Sequence, residues 1–76
     1  MTMGELPGDF ADTLARVIEP AQRDAAAEII EAATMLDDIG LRHFLQLFAA
    51  RVRASDAPIR ADELRQFLQR AARAER

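Results

Sequence analysis

Ile39-Gly40-Leu41-Arg42-His43-Phe44-Leu45-Gln46-Leu47-Phe48-Ala49-Ala50-Arg51-Val52 is the stretch on which the fold turns. It holds two of the four phenylalanines and three of the eight leucines of a 76-residue chain. Read as a helix from Leu41, it places Leu41, Phe44, Leu45, Phe48 and Val52 on one stripe. Leu47 and Ala49 widen the apolar arc to roughly 200°, well past a one-sided amphipathic face. His43, Gln46, Arg42 and Arg53 take the remainder. Arg51 falls inside the arc beside Leu47 and Phe44, so its charge must snorkel outward or meet a carboxylate. A helix this broadly apolar belongs at the centre of a small core, and its flank near Leu47 and Arg51 is expected to stay open to a partner.

Working outward, Gly40 reads as the C-cap of a preceding helix and as the bend before this one. That preceding helix is expected over residues 20–38. Ala25, Ile29, Ala32 and Leu36 line one of its faces, flanked by Ala26, Ile30 and Ala33, and Asp24, Glu28, Glu31 and Asp38 line the other. On this reading Asp37 and Asp38 occupy its last turn, the unfavourable end for negative charge. A shorter first helix carries Phe10, Leu14, Val17 and Ile18 on one face. Asp9 stands at its N-cap with Asp12 three residues on, and Pro20 limits it. Residues 1–8 read as a flexible lead-in ending in Leu6-Pro7-Gly8. On the other side, Ser55-Asp56-Ala57-Pro58 forms a turn and Ile59 tucks inward after it. A last helix over residues 61–75 turns Leu64, Phe67, Leu68, Ala71 and Ala72 one way and Arg65, Gln66, Gln69, Arg70, Arg73 and Arg76 the other. The fold class is therefore all-α: a small bundle of three to four short helices, with residues 9–76 as a single helical domain.

Composition narrows the function. Half the residues are apolar, but alanine dominates that half and adds little buried area. A chain this short buries only about 60% of the surface it exposes unfolded, so its core is marginal. There is no cysteine, which removes disulfides and thiolate zinc sites as the remedy. Good helices and association with another chain remain. The first residues show neither a basic n-region nor an apolar h-region, and no apolar run approaches the roughly 18 residues of a spanning helix. A cytoplasmic location is expected.

The net charge of −3 conceals opposed halves. Residues 1–39 carry nine acids and two arginines, and residues 40–76 carry four acids and eight arginines. Such halves attract, within one chain or between two.

Two local patterns bear on chemistry. The segment Ile59-Arg60-Ala61-Asp62-Glu63-Leu64, followed by Phe67-Leu68, resembles the exit half of an EF-hand. Ile59 takes the central hydrophobic position and Glu63 the twelfth. The rest of the loop departs from that pattern. Val52 and Ala54 stand where the first two acidic ligands belong, Ala57 replaces the turn glycine, and only Asp56 and Glu63 remain. The length, acidity and helical character also suit an acyl carrier protein, but Leu36-Asp37-Asp38-Ile39-Gly40-Leu41 lacks the serine that carries the prosthetic group. The one histidine, His43, has neither a Glu-x-x-His nor a His-x-x-x-His companion. The chain also lacks cysteine, lysine and tyrosine. No nucleophile, acid–base pair, metal site or cofactor site is expected, and no enzyme.

What remains is binding. The expected function is a non-catalytic helical module for protein–protein interaction or regulation that associates with itself as a homodimer. Its interface is expected at Leu41, Phe44, Leu47, Phe48 and Arg51, with the arginine reaching an acid on the second helix of the same or a partner chain. Two alternatives use the charged faces. Arg65, Arg70 and Arg73 would form the basic face of a DNA-binding regulator, with the turn and helix from Pro58 to Phe67 resembling a helix-turn-helix. Against it, the chain is acidic overall and has neither Trp nor Tyr for base stacking. Asp24, Glu28 and Glu31 would form the acidic face of an inhibitor that imitates a phosphate track.

Overall fold

A computed structural model describes residues 9–74, and the lead-in at 1–8 lies outside them. Among the described residues four helices form one all-α globule: α1 (Phe10–Val17), α2 (Ala25–Thr34), α3 (Asp38–Ala54) and α4 (Ala61–Ala74), with a 3-10 turn at Pro20–Gln22 between α1 and α2. Among the described residues no helix is long and apolar enough to cross a membrane.

The core gathers one stripe from each helix. Phe10 and Leu14 come from α1, Ile29 and Ala33 from α2, Leu41, Phe44 and Phe48 from α3, and Leu64, Phe67 and Ala71 from α4. Phe10 meets Phe44 and Phe48 edge-on, with ring centroids 5.9 and 5.2 Å apart, the geometry that ring quadrupoles favour. Alanine at Ala33 and Ala71, both fully buried, lets helices approach where a larger side chain would hold them apart.

The boundary between α2 and α3 departs from the sequence reading. Gly40 does not cap α2; it lies buried in the first turn of α3. Asp37 is the N-cap of α3, in extended conformation, and its Oδ1 accepts from the Gly40 backbone N–H at 2.8 Å. Asp37 and Asp38 thus sit at the positive end of a helix dipole rather than the negative end of the previous one. α2 stops earlier, at Thr34, whose hydroxyl donates back to the Glu31 carbonyl at 2.7 Å. The Met35 and Leu36 amides close the last turn with short bonds to Ala32 and Ala33. Serine and threonine bonds of this kind compete with the helical ladder and suit helix ends. α2 also starts later than expected, because Pro20–Gln22 forms its own tight turn. At α1, Asp9 holds the N-cap position but its side chain makes no capping bond. The Thr13 amide bonds to the Asp9 carbonyl instead, at 3.0 Å.

Two helix-turn-helix halves are tied at their turns. Ile18, just past α1, and Ile59, just before α4, form a parallel β-bridge. The Ile59 amide donates to the Val17 carbonyl at 2.8 Å, and the Glu19 amide donates to the Ile59 carbonyl at 2.9 Å. Both isoleucine side chains are buried, so the tie is hydrogen-bonded and apolar at once. Ile18 is the C-cap of α1, its amide bonded to the Leu14 carbonyl, and it is buried in the same cluster as Phe10 and Leu14.

Candidate functional site: the outer face of the third helix

The five residues expected at an interface divide. Leu41, Phe44 and Phe48 lie inside the chain's own core, and Leu47 is half-buried against it. Arg51 is engaged on the same side of α3. Its Nε donates to Glu63 Oε2 at 2.7 Å, and its terminal nitrogens donate to the carbonyls of Ser55, Ala57 and Pro58 at 3.5, 3.3 and 3.3 Å. The acid it meets is therefore on α4, not on α2. The flank of α3 around Leu47 and Arg51 is covered by the chain itself.

The open flank is the opposite one. Leu41, Leu45 and Ala49, spaced four residues apart, run along α3 as the floor of a shallow groove of about 480 Å³. Arg42, Gln46 and Arg53 line the same groove, and Asp38 stands at one end. At 100° per residue Arg42 and Arg53 lie within roughly 20° of each other, so both edge the same side. Among the described residues neither arginine has an ion-pair partner, whereas Arg51 and Arg65 do. At the α2–α3 corner, Met35 and Ile39 are 82% and 60% exposed, the two most open large apolar residues among those described. The periodicity of the sequence contained this flank, since Leu45 and Ala49 were within the wide arc. It did not contain the side on which α4 packs.

The charged faces sit as follows. Asp24, Glu28 and Glu31 all lie exposed on the outer face of α2. Glu28 accepts from Arg65 at 3.3 Å, and Arg65 also meets Asp62 at 3.4 Å. One arginine of the basic set is thus held by acids of its own chain. Arg70 and Arg73 are exposed further along α4. Arg65 and Arg70 point roughly 140° apart around the helix, so the three do not form one stripe.

A second depression, of about 210 Å³, lies beside the isoleucine bridge, lined by Arg16, Pro20, Val52 and the 55–58 turn. Among the described residues no three His, Cys, Asp or Glu side chains converge as a metal site would need. His43 is half-buried on α3.

Comparison with protein-family models, with curated proteins and with solved structures gives no match. The functional reading therefore rests on the geometry of this chain.

Proposed function

We propose that the protein is a non-catalytic interaction module, one that binds protein through the outer face of α3 and associates with itself. One observation carries this reading. The groove over Leu41, Leu45 and Ala49 pairs an apolar floor with two arginines that lack acid partners among the described residues. An apolar depression edged by charge is the ordinary anatomy of a protein-binding surface, where arginine is enriched and a polar rim surrounds an apolar centre. The exposed Met35 and Ile39 extend apolar surface toward the same helix. Regulation would follow from occupancy of this face, with no chemistry of its own.

DNA binding through α4 is the weaker reading. Arg65 is occupied by Glu28 and Asp62, and its direction diverges from that of Arg70. Phosphate contacts need a field that stays positive where the duplex docks.

Light scattering behind a sizing column tests the self-association. At tens of micromolar the expected mass exceeds the 8.5 kDa of one chain. A strict monomer there overturns the reading.

A further inference from the structure

We propose that the α3 groove receives the acidic outer face of α2 from a second copy of this chain. The proposal rests on the self-associating reading and specifies which two surfaces meet.

The groove defines the chemistry of its occupant. A phosphate backbone would satisfy Arg42 and Arg53 but leave the Leu41, Leu45 and Ala49 floor against water. A wholly apolar segment would cover the floor and strand two guanidinium groups at its edge, a poor exchange because a charge gives up hydration only for a good partner. The surface that answers both is a helix with carboxylates and an apolar side chain on one face.

This chain presents such a helix. Asp24, the N-cap of α2, and Glu31 on the helix itself are exposed, and neither has an ion-pair partner among the described residues. Met35 follows Glu31 by four residues, on the same face at helical spacing, and is more exposed than any other large apolar residue described. Glu28 stands between them but is already held by Arg65. Along the helix axes, Asp24 and Glu31 are roughly 10 Å apart and Arg42 and Arg53 roughly 16 Å, at 1.5 Å per residue. Two long arginine side chains leaning inward span that difference. In this docking Met35 lies over Leu41 and Leu45 while the carboxylates meet the arginines. The opposed charge of the two halves of the chain supplies long-range attraction of the same sign.

One helix in one groove covers less than the standard protein–protein interface, so association in the micromolar range is expected, weakened by salt. The contact joins two different surfaces. It closes as a dimer if both pairs of surfaces engage reciprocally, and otherwise extends from chain to chain.

The test is a charge swap read by sedimentation equilibrium. Arg42→Glu with Arg53→Glu makes one variant, and Asp24→Arg with Glu31→Arg makes the other. All four positions are exposed, so circular dichroism should show both variants folded. Each variant alone is expected to be monomeric at concentrations where the natural chain associates. Mixed in equal amounts they should associate at least tenfold more tightly than either alone, because one variant's acidic groove then faces the other's basic α2. If the natural chain associates and the variant lacking both arginines does so equally well, the surface assignment is overturned while self-association stands. If each variant is monomeric alone but the mixture fails to associate, the pairing of these two surfaces is likewise overturned. A natural chain that is monomeric throughout overturns both.

Discussion

Arg51 Nε lies 2.7 Å from Glu63 Oε2, joining the last turn of α3 to the first turn of α4 across the 55–58 turn. The same guanidinium donates to the carbonyls of Ser55, Ala57 and Pro58. In the EF-hand alignment Glu63 is the twelfth position and Pro58 the seventh, both of which supply oxygen to calcium in that loop. Here a side-chain cation bonded to the chain takes those two acceptors. The junction is organised by a charge that cannot dissociate.

Removing that charge leaves a carboxylate and several carbonyls converging on nothing. Arg51→Ala is expected to cost about 2 kcal/mol, since hydrogen bonds to charged groups sit at the strong end of the range and the pair is mostly shielded from solvent. Arg51→Lys should recover only part of this, because an ammonium cannot match the guanidinium fork. The exposed Arg65 pair is the internal comparison: Arg65→Ala should cost less than about 0.5 kcal/mol and depend on salt. Urea unfolding midpoints of the three variants decide it. Equal losses for Arg51→Ala and Arg65→Ala would remove Arg51 from its organising role.

Gln22 acts at a distance. Its Oε1 accepts from the Ala61 backbone N–H at 2.8 Å, so the 3-10 turn after α1 caps the start of α4 from 39 residues away. The Ala61 side chain is buried, and water is a poor substitute acceptor there. Gln22→Ala should therefore cost about 1 kcal/mol, the value of a lost cap. Gln22→Glu keeps an acceptor and puts negative charge at the positive end of α4, so it should retain most of the stability. Hydrogen exchange at Ala61 provides the direct measurement. Unchanged protection in Gln22→Ala would mean that the bond does not persist in solution.

How much of this was legible in the sequence depended on the range of the interaction. Helices α1, α3 and α4, the inward turn of Ile59 and the choice of Arg51 between solvent and a carboxylate all follow from periodicity and from one charge on an apolar stripe. The α2–α3 boundary did not, because Gly40 signals a helix end and Asp37-Asp38 signals a helix start within four residues of each other. The aspartates prevailed because a cap satisfies an amide that would otherwise be unpaired, while glycine inside a helix costs only about 1 kcal/mol. The Gln22 cap and the Ile18–Ile59 bridge join distant turns and leave no local pattern. The candidate surface was half legible. The arc of α3 was visibly too wide for one neighbour, but only the packing of α4 shows that the Leu47 and Arg51 flank is covered and the Leu45 and Ala49 flank is not.

The conflict at the α2–α3 boundary has a direct test. Asp37→Ala removes the acceptor for the Gly40 amide and should cost about 1 kcal/mol, whereas Asp37→Asn keeps a side-chain oxygen for that amide and should cost less. Thermal melts followed by circular dichroism would show the first variant lower by about 6 °C, given the entropy of unfolding of a domain this size. Matching melting points for the two variants would show that the cap contributes nothing to the start of α3.

The isoleucine bridge should be the tie that the fold can least spare. Ile59 and Ile18 are each about 1% exposed, and two hydrogen bonds tie the Ile59 backbone to Val17 and Glu19 on either side of Ile18. Ile59→Ala deletes three buried carbons where the two turns meet, with an expected loss of about 3 kcal/mol. For a marginal core of this size that is a large fraction of the total stability. Ile59→Val removes one carbon and should cost about 1 kcal/mol, leaving a folded chain for measurement. Because the two side chains belong to one contact, Ile18→Val combined with Ile59→Val should depart from the sum of the single losses by at least about 0.5 kcal/mol. Strict additivity in urea titrations would mean that the turns are stabilised independently, and that the bridge is a consequence of the packing of α3 on α4 rather than a support for it.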